Sequence, residues 1–350
     1  MRDIFLDIAR SGILAPSADN KHVFRFDFND SCIRLWPTPE FVAETDPLPR
    51  VLGLLSMGAV VENMRLRASA LGCAAQARWF GVVSSGPMVE LDVESFPTQP
   101  SDELASAIAT RHTNRRMYHG PGLNADETHW LNAAVAPVEG TRLIWLQGAA
   151  RRKALGLIWR AESERFLRKQ LHHDIFSSIR FDLSWSETAD WALPLGALEV
   201  EMPMRPLFKA LRHWALMRPL TWIGMHWLLG LRSGWLPAWQ APALGLLASS
   251  LPVEQGAVAV GSALERLWLR ATLLDLAMQP MAASAVLMQP SLAKDGASDA
   301  LRLALASGWQ AIAPGVMPLM VFRMGHAALP SVRSGRKDVG ECLMMKVAGR

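Results

Sequence analysis

A nineteen-residue segment that predicts a long helix occurs twice in this chain, 203 positions apart. Residues 58–76 and 261–279 are identical at eight positions, and Glu62 is matched with Glu265. Solenoid repeats recur every ~20–50 residues, so a spacing this wide excludes a solenoid. It predicts instead a folded unit that is present in two copies, and a site that the two halves share.

The composition indicates a globular protein. Half of the 350 residues are apolar, which is enough to bury a large core, and 36 basic residues nearly balance 32 acidic ones. A net charge of +4 is too small to indicate nucleic-acid binding, although this many arginines can serve anionic small molecules. We therefore expect no nucleic-acid partner.

Cysteine spacing and apolar stretches indicate a cytoplasmic protein. Cys32, Cys73 and Cys342 lie far apart and lack the spacing of a disulfide framework or a zinc site. The N-terminal segment contains acidic residues before any stretch long enough for a signal peptide. The longest uncharged stretch, 233–253, contains three prolines and is a poor membrane helix. We expect no stable membrane insertion and no bound metal.

Helix, loop and strand follow one another in the same order in both halves. Over residues 3–28 the pattern predicts a helix, a polar turn and an alternating strand. Over 124–146 it predicts an Asn-capped helix and a strand, preceded by a short helix over 101–110. We therefore place the first half at 1–110 and the second at 111–350.

Residues 150–250 have no counterpart in the first half and are rich in Trp and Met. We predict that they form inserted helices that cover a site, as a lid would. Ordinary helical packing around a large core is one alternative. Contact with a membrane surface or a partner is another, because Trp and Met suit adaptable contact surfaces.

Two short polar segments are candidates for ligand binding. Alternate residues of an extended segment point the same way, so Arg111, Thr113 and Arg115 can present two guanidinium groups and a hydroxyl to a phosphate. A solvated basic loop is the alternative. The turn at 16–20, Pro-Ser-Ala-Asp-Asn, either binds a ligand or satisfies its own backbone.

The standard catalytic and metal-binding motifs are absent from the sequence. There is no nucleophile elbow and no glycine-rich phosphate loop of the usual spacing. Adjacent His172 and His173 on a helix would point ~100° apart and cannot easily face one ion. These absences favour a bound organic cofactor.

Taken together, these segments resemble the nitroreductase family of flavin mononucleotide (FMN) proteins. Residues 111–115, Arg-His-Thr-Asn-Arg, resemble the family's Arg-x-Ser-x-Arg/Lys segment, which holds the flavin phosphate and ring edge. Residues 16–20 resemble its Pro-Ser-x-x-Asn loop, which comes from the other subunit of a dimer. The Gln-Pro-Trp that usually follows the Asn is replaced by His-Val-Phe at 22–24, which departs from the family's substrate-side contacts.

The resemblance extends to residues late in the chain. Residues 279–283 match the place where the family sets backbone amides beside the flavin N5, and the basic tail offers a late phosphate ligand. No side chain is assigned as catalytic, because the flavin carries the redox chemistry. The cofactor-binding residues that the resemblance implies are Pro16, Ser17, Asn20, Arg111, Thr113, Arg115, Pro280, Met281, Ala282, Ala283 and either Arg333 or Arg336.

Each half retains the motif that the other lacks. The first half starts at its helix without an Arg-x-Ser-x-Arg segment, and the second has Ala-Pro-Val-Glu-Gly at 136–140 in place of the Pro-Ser-x-x-Asn loop. The resemblance therefore implies an α+β, nitroreductase-like fold of two tandem degenerate copies. They would form an intrachain pseudo-dimer with one complete flavin site, similar to the fused, dormancy-associated subgroup of the family.

The resemblance implies an FMN-binding oxidoreductase that transfers electrons from NADH or NADPH to a small acceptor. The alternative is an FMN storage protein with a closed lid and little turnover. A third, non-flavin hypothesis is a helical interaction protein that uses the Trp-rich region as its contact surface. A monomer would suffice to complete the site, while the sequence leaves further dimerisation open.

Overall fold

Two four-stranded antiparallel sheets, each with helices, organise the chain into an α+β fold. The computed structural model describes residues 1–82, 85–96 and 100–344. The predicted halves, 1–110 and 111–350, each include a few residues outside these ranges.

The first sheet is built from the N-terminal part of the chain. Its neighbouring strands all pair antiparallel, and the long helix precedes the third strand. The elements are α1 (Arg2–Ile13), β1 (Phe24–Phe28), β2 (Cys32–Pro37), α2 (Pro39–Ala43), α3 (Pro47–Ala70), β3 (Cys73–Trp79) and β4 (Val89–Ser95). The strand order across this sheet is β1-β2-β4-β3.

The second sheet is also entirely antiparallel. Its elements are α4 (Ala125–Val135), β5 (Thr141–Trp145), β8 (Ala243–Ser249), α11 (Val253–Leu273), β9 (Ala277–Pro280), α12 (Ala283–Val286), α13 (Asp299–Gln310) and β10 (Met317–Gly325). The strand order is β5-β8-β10-β9. Counted along the chain, each sheet therefore has the order first, second, fourth, third, with a long helix between its second and third strands.

The connection from β5 to β8 carries the predicted inserted segment. It contains α5 (Gly148–Leu167), α6 (Lys169–Ser177), β6 (Ile179–Arg180), β7 (Leu193–Pro194), α7 (Arg205–Leu211), α8 (Trp214–Trp222), α9 (Met225–Gly230) and α10 (Leu236–Gln240). Helix α5 packs on the second sheet, where Leu155 and Ile158 share a core with Leu246 and Trp309. Leu171 of α6 and Ala238 of α10 belong to the same core, so both ends of the inserted segment pack against the sheet.

Two sequence predictions about elements need correction. Helices were expected throughout 150–250, but residues 243–249 form β8, whose seven residues are all buried. A short apolar run without alternation does not distinguish a buried strand from a buried helix. The helix expected over 101–110 is only a short 3-10 turn at Glu103–Ala107.

The two long helices begin and end on recognisable local signals. Asp46 caps α3 by accepting a hydrogen bond from the Leu48 N–H, at 3.2 Å, and Pro47 occupies the first turn. Just after the helix, Gly72 has φ +68°, and the matching residue after α11, Asp275, has φ +55°. Both helices thus end at a residue in the left-handed conformation.

Helices α3 and α11 cross in close contact at two glycines. A Cβ on Gly58 would collide with the carbonyl oxygen of Val258, and a Cβ on Gly261 would collide with that of Leu55. The two contacts are reciprocal, because each glycine meets the residue three positions before its counterpart. Ser262 Oγ also donates a hydrogen bond to the Gly58 carbonyl at 3.0 Å. Only glycine permits this approach.

No helix within the described ranges combines the length and the apolarity needed to cross a bilayer. The uncharged stretch 233–253 is divided between α10 and β8, with prolines at the interruptions.

Candidate functional site

A basic cavity of about 150 Å³ lies where four separate parts of the chain meet. They are the turn at 16–20, the segment at 108–115, the inserted segment near 193–197 and the tail at 332–336. Eight of the twelve residues predicted from the sequence line it: Pro16, Ser17, Asn20, Arg111, Thr113, Arg115, Arg333 and Arg336. The tertiary fold thus brings together motifs that are up to 320 positions apart.

Asn20 connects three of these parts. Its Nδ2 donates to the carbonyls of Ala189 and Ala192 at 3.4 and 3.2 Å, and to the Gly335 carbonyl at 3.3 Å. Its Oδ1 accepts a hydrogen bond from Arg336 Nη1 at 2.7 Å. Asn20 has φ +58°, a conformation that Asn tolerates better than most residues. An amide that both donates and accepts is suited to this junction.

Arg111 lies at the inner end of the cavity and is almost completely buried. Its Nη2 donates to the Leu14 carbonyl at 2.8 Å, its Nε lies 3.3 Å from Glu265 Oε1, and its guanidinium lies over the Trp268 ring. Burial lowers the pKa of Arg111, and the Glu265 carboxylate opposes that shift. The sequence predicted a basic loop residue here, whereas the structure shows a buried ion pair.

Glu265 is fully buried in α11 and was not among the predicted site residues. Burial raises its pKa to about 7, although the Arg111 guanidinium and the Asn63 amide oppose this shift. A signal for it was present in the repeat, because a glutamate stands at the same place in both copies. A charged residue that recurs in a largely apolar helix is a signal of a paired charge, because buried charges are almost always paired.

Arg115 and Arg336 add two more desolvated cations. Burial lowers the pKa of Arg115, and Asp19 opposes that shift. Burial, together with nearby Arg111, lowers the pKa of Arg336 to about 9. Desolvated guanidinium groups with lowered pKa values indicate a place for an anion, because a negative ligand would raise those pKa values.

Several buried polar atoms at the cavity have no hydrogen-bond partner within the described part of the chain. They are Arg111 Nη1, Arg336 Nε and Ser17 Oγ. Buried polar groups in proteins are nearly always satisfied. An anion with several acceptor oxygens fits this set of donors, and a phosphate group has that chemistry.

The inserted segment closes the cavity from one side. Leu193 and Ala197 belong to its lining, and the Ala197 carbonyl accepts a hydrogen bond from Arg115 Nη1 at 3.1 Å. Thr188 Oγ1 also donates to the Arg333 carbonyl at 2.6 Å. The remaining volume is well below the ~300–1,000 Å³ of typical ligand sites. The inserted segment therefore forms one wall of a cavity that is smaller than most ligand sites.

The other four predicted residues lie outside the cavity lining. Pro280 ends β9, and Met281 donates its N–H to the Val321 carbonyl at 2.7 Å. Ala282 and Ala283 lead into α12. The Met281 amide is thus already used in the contact with β10 and is not available to a ligand in this arrangement.

His22 was noted in the sequence only as a departure from the family pattern. Both of its ring nitrogens are buried without a hydrogen-bond partner among the described residues. Burial, together with the charges of Arg336 and Lys337, lowers its pKa to about 4. The neutral ring adjoins the turn that supplies Asn20.

The two histidines at 172–173 do not face a common site. His172 is buried in α6 between Phe176 and Trp214, and its Nε2 lies 2.9 Å from the Leu211 carbonyl oxygen. His173 is exposed on the same helix. Within the described residues, no group of three His, Cys, Asp or Glu side chains could hold a metal ion.

Comparisons with known proteins give similarities to solved structures alone. No protein-family model matches the chain, and no curated protein matches it. The FMN-dependent nitroreductase NfnB from Mycobacterium smegmatis, in complex with NADPH, is 16% identical, with a TM-score of 0.39 over 70% of this chain and 100% of that one. A nitroreductase with bound FMN from Bacteroides fragilis is 12% identical, with a TM-score of 0.37 over 65% and 90%.

A third similar structure has another activity. Iodotyrosine deiodinase bound to FMN and 3-iodo-L-tyrosine is 13% identical, with a TM-score of 0.36 over 71% of this chain and 100% of that one. Similarities this weak carry no argument about function. The function has to be argued from the cavity itself.

Proposed function

We propose that the basic cavity binds FMN by its phosphate. The observation that carries the proposal is the cluster of three desolvated guanidinium groups in a single cavity, two of which, Arg111 and Arg336, have unpaired donors. A phosphate dianion would satisfy these donors and neutralise the charges. The resemblance at 16–20 and 111–115 supports FMN as the molecule that carries this phosphate.

The residues have separate roles in this proposal. Arg111 and Arg336 hold the phosphate, and Arg336 is favoured over Arg333 because Asn20 fixes its guanidinium while Arg333 is exposed. Ser17 and Thr113 donate to the phosphate or the ribityl chain, and Arg115 stabilises negative charge on the ring edge. Bound FMN would supply the redox chemistry.

We also propose that the chain is an intrachain pseudo-dimer of two degenerate copies, 1–110 and 111–350. The equal strand orders and the reciprocal contacts at Gly58 and Gly261 support this relationship. The same symmetry supports a composite site, because the turn at 16–20 and Arg111 come from different halves.

Only one of the two symmetry-related places is free to bind a ligand in this proposal. Glu62, the counterpart of Glu265, is paired with Arg266, whose Nη1 donates to Glu62 Oε1 at 2.8 Å. Arg266 also donates to Asp102 Oδ2 at 3.0 Å and to the Ala134 carbonyl at 2.8 Å. Its donors are engaged within the protein, whereas Arg111 has unpaired donors. We therefore propose one FMN per chain and a monomer that needs no second chain.

Two functions are compatible with such a site. The first is an oxidoreductase that passes electrons from NADH or NADPH to a small acceptor. The second is FMN storage with little turnover, and the covering segment at 188–197 favours it. In this proposal, movement of that segment would free the donors of Asn20 and Arg115 that its carbonyls now engage.

Calorimetric titration with FMN and with riboflavin tests the phosphate assignment. Riboflavin has the same ring and lacks the phosphate, so we expect it to bind at least about tenfold more weakly than FMN. Equal affinities would place the phosphate elsewhere, and no binding of either compound would reject a flavin site.

Stopped-flow reduction of the FMN complex separates the two functions. Dithionite is a small reagent, so a covered site admits it more readily than a nicotinamide dinucleotide. Comparable rates with dithionite and saturating NADH or NADPH support an open oxidoreductase. Reduction by dithionite alone supports storage.

A further inference from the structure

Large apolar side chains are exposed along the inserted segment. Nine of the twenty-one exposed large apolar residues in the described chain fall between 202 and 239, a small fraction of its length. We call this set the 202–239 face: Met202, Met204, Leu207, Leu216, Trp222, Ile223, Trp227, Leu228 and Trp239. Trp222, Ile223, Trp227 and Leu228 fall within seven consecutive residues, so their exposed surface is concentrated locally, and an exposed apolar patch marks an interaction site.

The most exposed of these residues lie at the bend between α8 and α9. Trp222 is 81% exposed and Ile223 is 78% exposed. Gly224 follows them with φ +86°, a conformation that favours glycine and turns the chain sharply. The bend therefore projects an adjacent Trp and Ile away from the fold.

The exposed residues of the 202–239 face are separate from the buried apolar residues that form the core of the inserted segment. Met217 of α8 is fully buried in a core with Phe166, Leu195 and Leu211, while Leu216 and Trp222 of the same helix are exposed. A helix that is apolar on both its inner and outer sides needs a second apolar environment.

The charge of the segment is as uneven as its hydrophobicity. Between 201 and 240 there are five basic residues and one acidic residue, which leaves equal numbers of basic and acidic residues in the rest of the chain. The single acid, Glu201, is paired with Arg232. A cleft beside the start of α8 adds Lys169 and Lys294, together with Arg168, which is paired with Asp295 in the same cleft at 3.6 Å.

We propose that the 202–239 face binds the surface of a bilayer that contains anionic lipids. Trp and aliphatic side chains enter the boundary between headgroups and acyl chains, while Lys and Arg contact anionic headgroups. A second copy of the same face would bring two positively charged segments together, which like-charge repulsion opposes. The proposal concerns adsorption to one leaflet and does not depend on FMN binding.

Co-sedimentation of the full chain with large vesicles tests the proposal. We expect binding to vesicles of phosphatidylcholine with 30% phosphatidylglycerol, and binding at least about tenfold weaker to phosphatidylcholine alone. Raising the salt to 1 M should weaken binding, because the Debye length falls to ~3 Å.

Variants of exposed residues identify the face without disturbing the core. The double variant Trp222→Ser/Ile223→Ser should lower the partition coefficient at least about tenfold, and Arg218→Glu should lower it chiefly at low salt. The matched control is Leu303→Ser on α13, where the side chain is 71% exposed outside this face. It should bind as the unchanged protein does.

Three outcomes would overturn the proposal. They are no binding to anionic vesicles, equal loss of binding in the Leu303→Ser control, and a concentration-dependent dimer in analytical ultracentrifugation that Trp222→Ser/Ile223→Ser abolishes while lipid binding is absent. The last result would assign the face to self-association. Circular dichroism of each variant checks that the fold is retained.

Discussion

At the scale of single residues, Arg111 and Glu265 form a buried ion pair beside the cavity. The sequence left open whether this arginine faces a phosphate or belongs to a solvated basic loop. The structure instead places its guanidinium beside a fully buried carboxylate. Removing one member of such a pair leaves the other charge buried without compensation.

Arg111→Ala should therefore weaken FMN binding and also destabilise the protein without flavin. We expect an affinity about ten- to a hundredfold lower, because one charge-assisted contact with phosphate is lost. Urea denaturation should show a loss of roughly 3 kcal/mol, because Glu265 is left unpaired. Arg111→Ala/Glu265→Gln should recover stability but not affinity.

The matched control for this prediction is Arg116→Ala. Arg116 is partly exposed, lies near Glu199 at 3.6 Å and does not line the cavity. Its loss should leave the FMN affinity within about twofold of the original value. Unchanged affinity in Arg111→Ala would mean that the phosphate lies elsewhere.

The pKa of Glu265 gives a prediction about pH. Its pKa rises from 4.5 in the unfolded chain to about 7 in the folded protein, so the folded state holds the proton more tightly. Its contribution to the free energy of unfolding is therefore greatest at low pH and falls by about 3 kcal/mol as the pH rises from 4.5 to 7. His22, whose pKa is lowered to about 4, acts in the opposite direction.

Comparison with Glu265→Gln isolates this effect, because His22 contributes equally to both proteins. We expect the difference in unfolding free energy between the two proteins to change between pH 5 and pH 7.5, with the variant gaining relative stability at the higher pH. Urea denaturation at the two pH values measures it. A constant difference would show that Glu265 does not titrate in this range.

At the scale of elements, the contact between α3 and α11 joins the parts of the chain that contain the two sheets. The glycines at the crossing allow the two backbones to touch, and both helices are largely buried. Close contact at reciprocal positions fixes the angle and register of the pair. The cavity depends on that register, since Glu265 lies one turn beyond the crossing.

Gly58→Ala and Gly261→Ala should each destabilise the protein by about 3 kcal/mol, because the added Cβ collides with a backbone carbonyl that cannot move independently. The control is Gly156→Ala in α5, where a Cβ would meet nothing within 4 Å. Alanine there should stabilise by about 0.5–1 kcal/mol. Equal urea midpoints for the two crossing variants and the control would show that the helices do not cross in this way.

At the scale of the whole molecule, the pseudo-dimer proposal predicts one FMN per chain and no second chain in the site. Titration monitored by flavin absorbance should saturate at one equivalent, because Arg266 already pairs with Glu62 at the related place. Analytical ultracentrifugation should show that the monomer binds FMN. Two equivalents per chain, or binding only by an associated form, would contradict the proposal.

The sequence by itself determined the features that local patterns encode. The repeated segment located the two long helices, turn residues marked the segment at 16–20, and capping residues located α4. The polar residues at 16–20 and 111–115 were recognisable because each motif is contiguous in the chain. Local patterns failed at β8, where an apolar run fits a buried helix as well as a buried strand.

Only the tertiary structure decided what meets at the cavity. Glu265 faces Arg111, the carbonyls of Ala192 and Ala197 cover the site, and Met281 turns its amide toward β10. These contacts join residues that are 40 to 172 positions apart, so they depend on how the helices and sheets pack and not on local periodicity. Burial then changes the chemistry of the same side chains, because removing water shifts the pKa of each charged group.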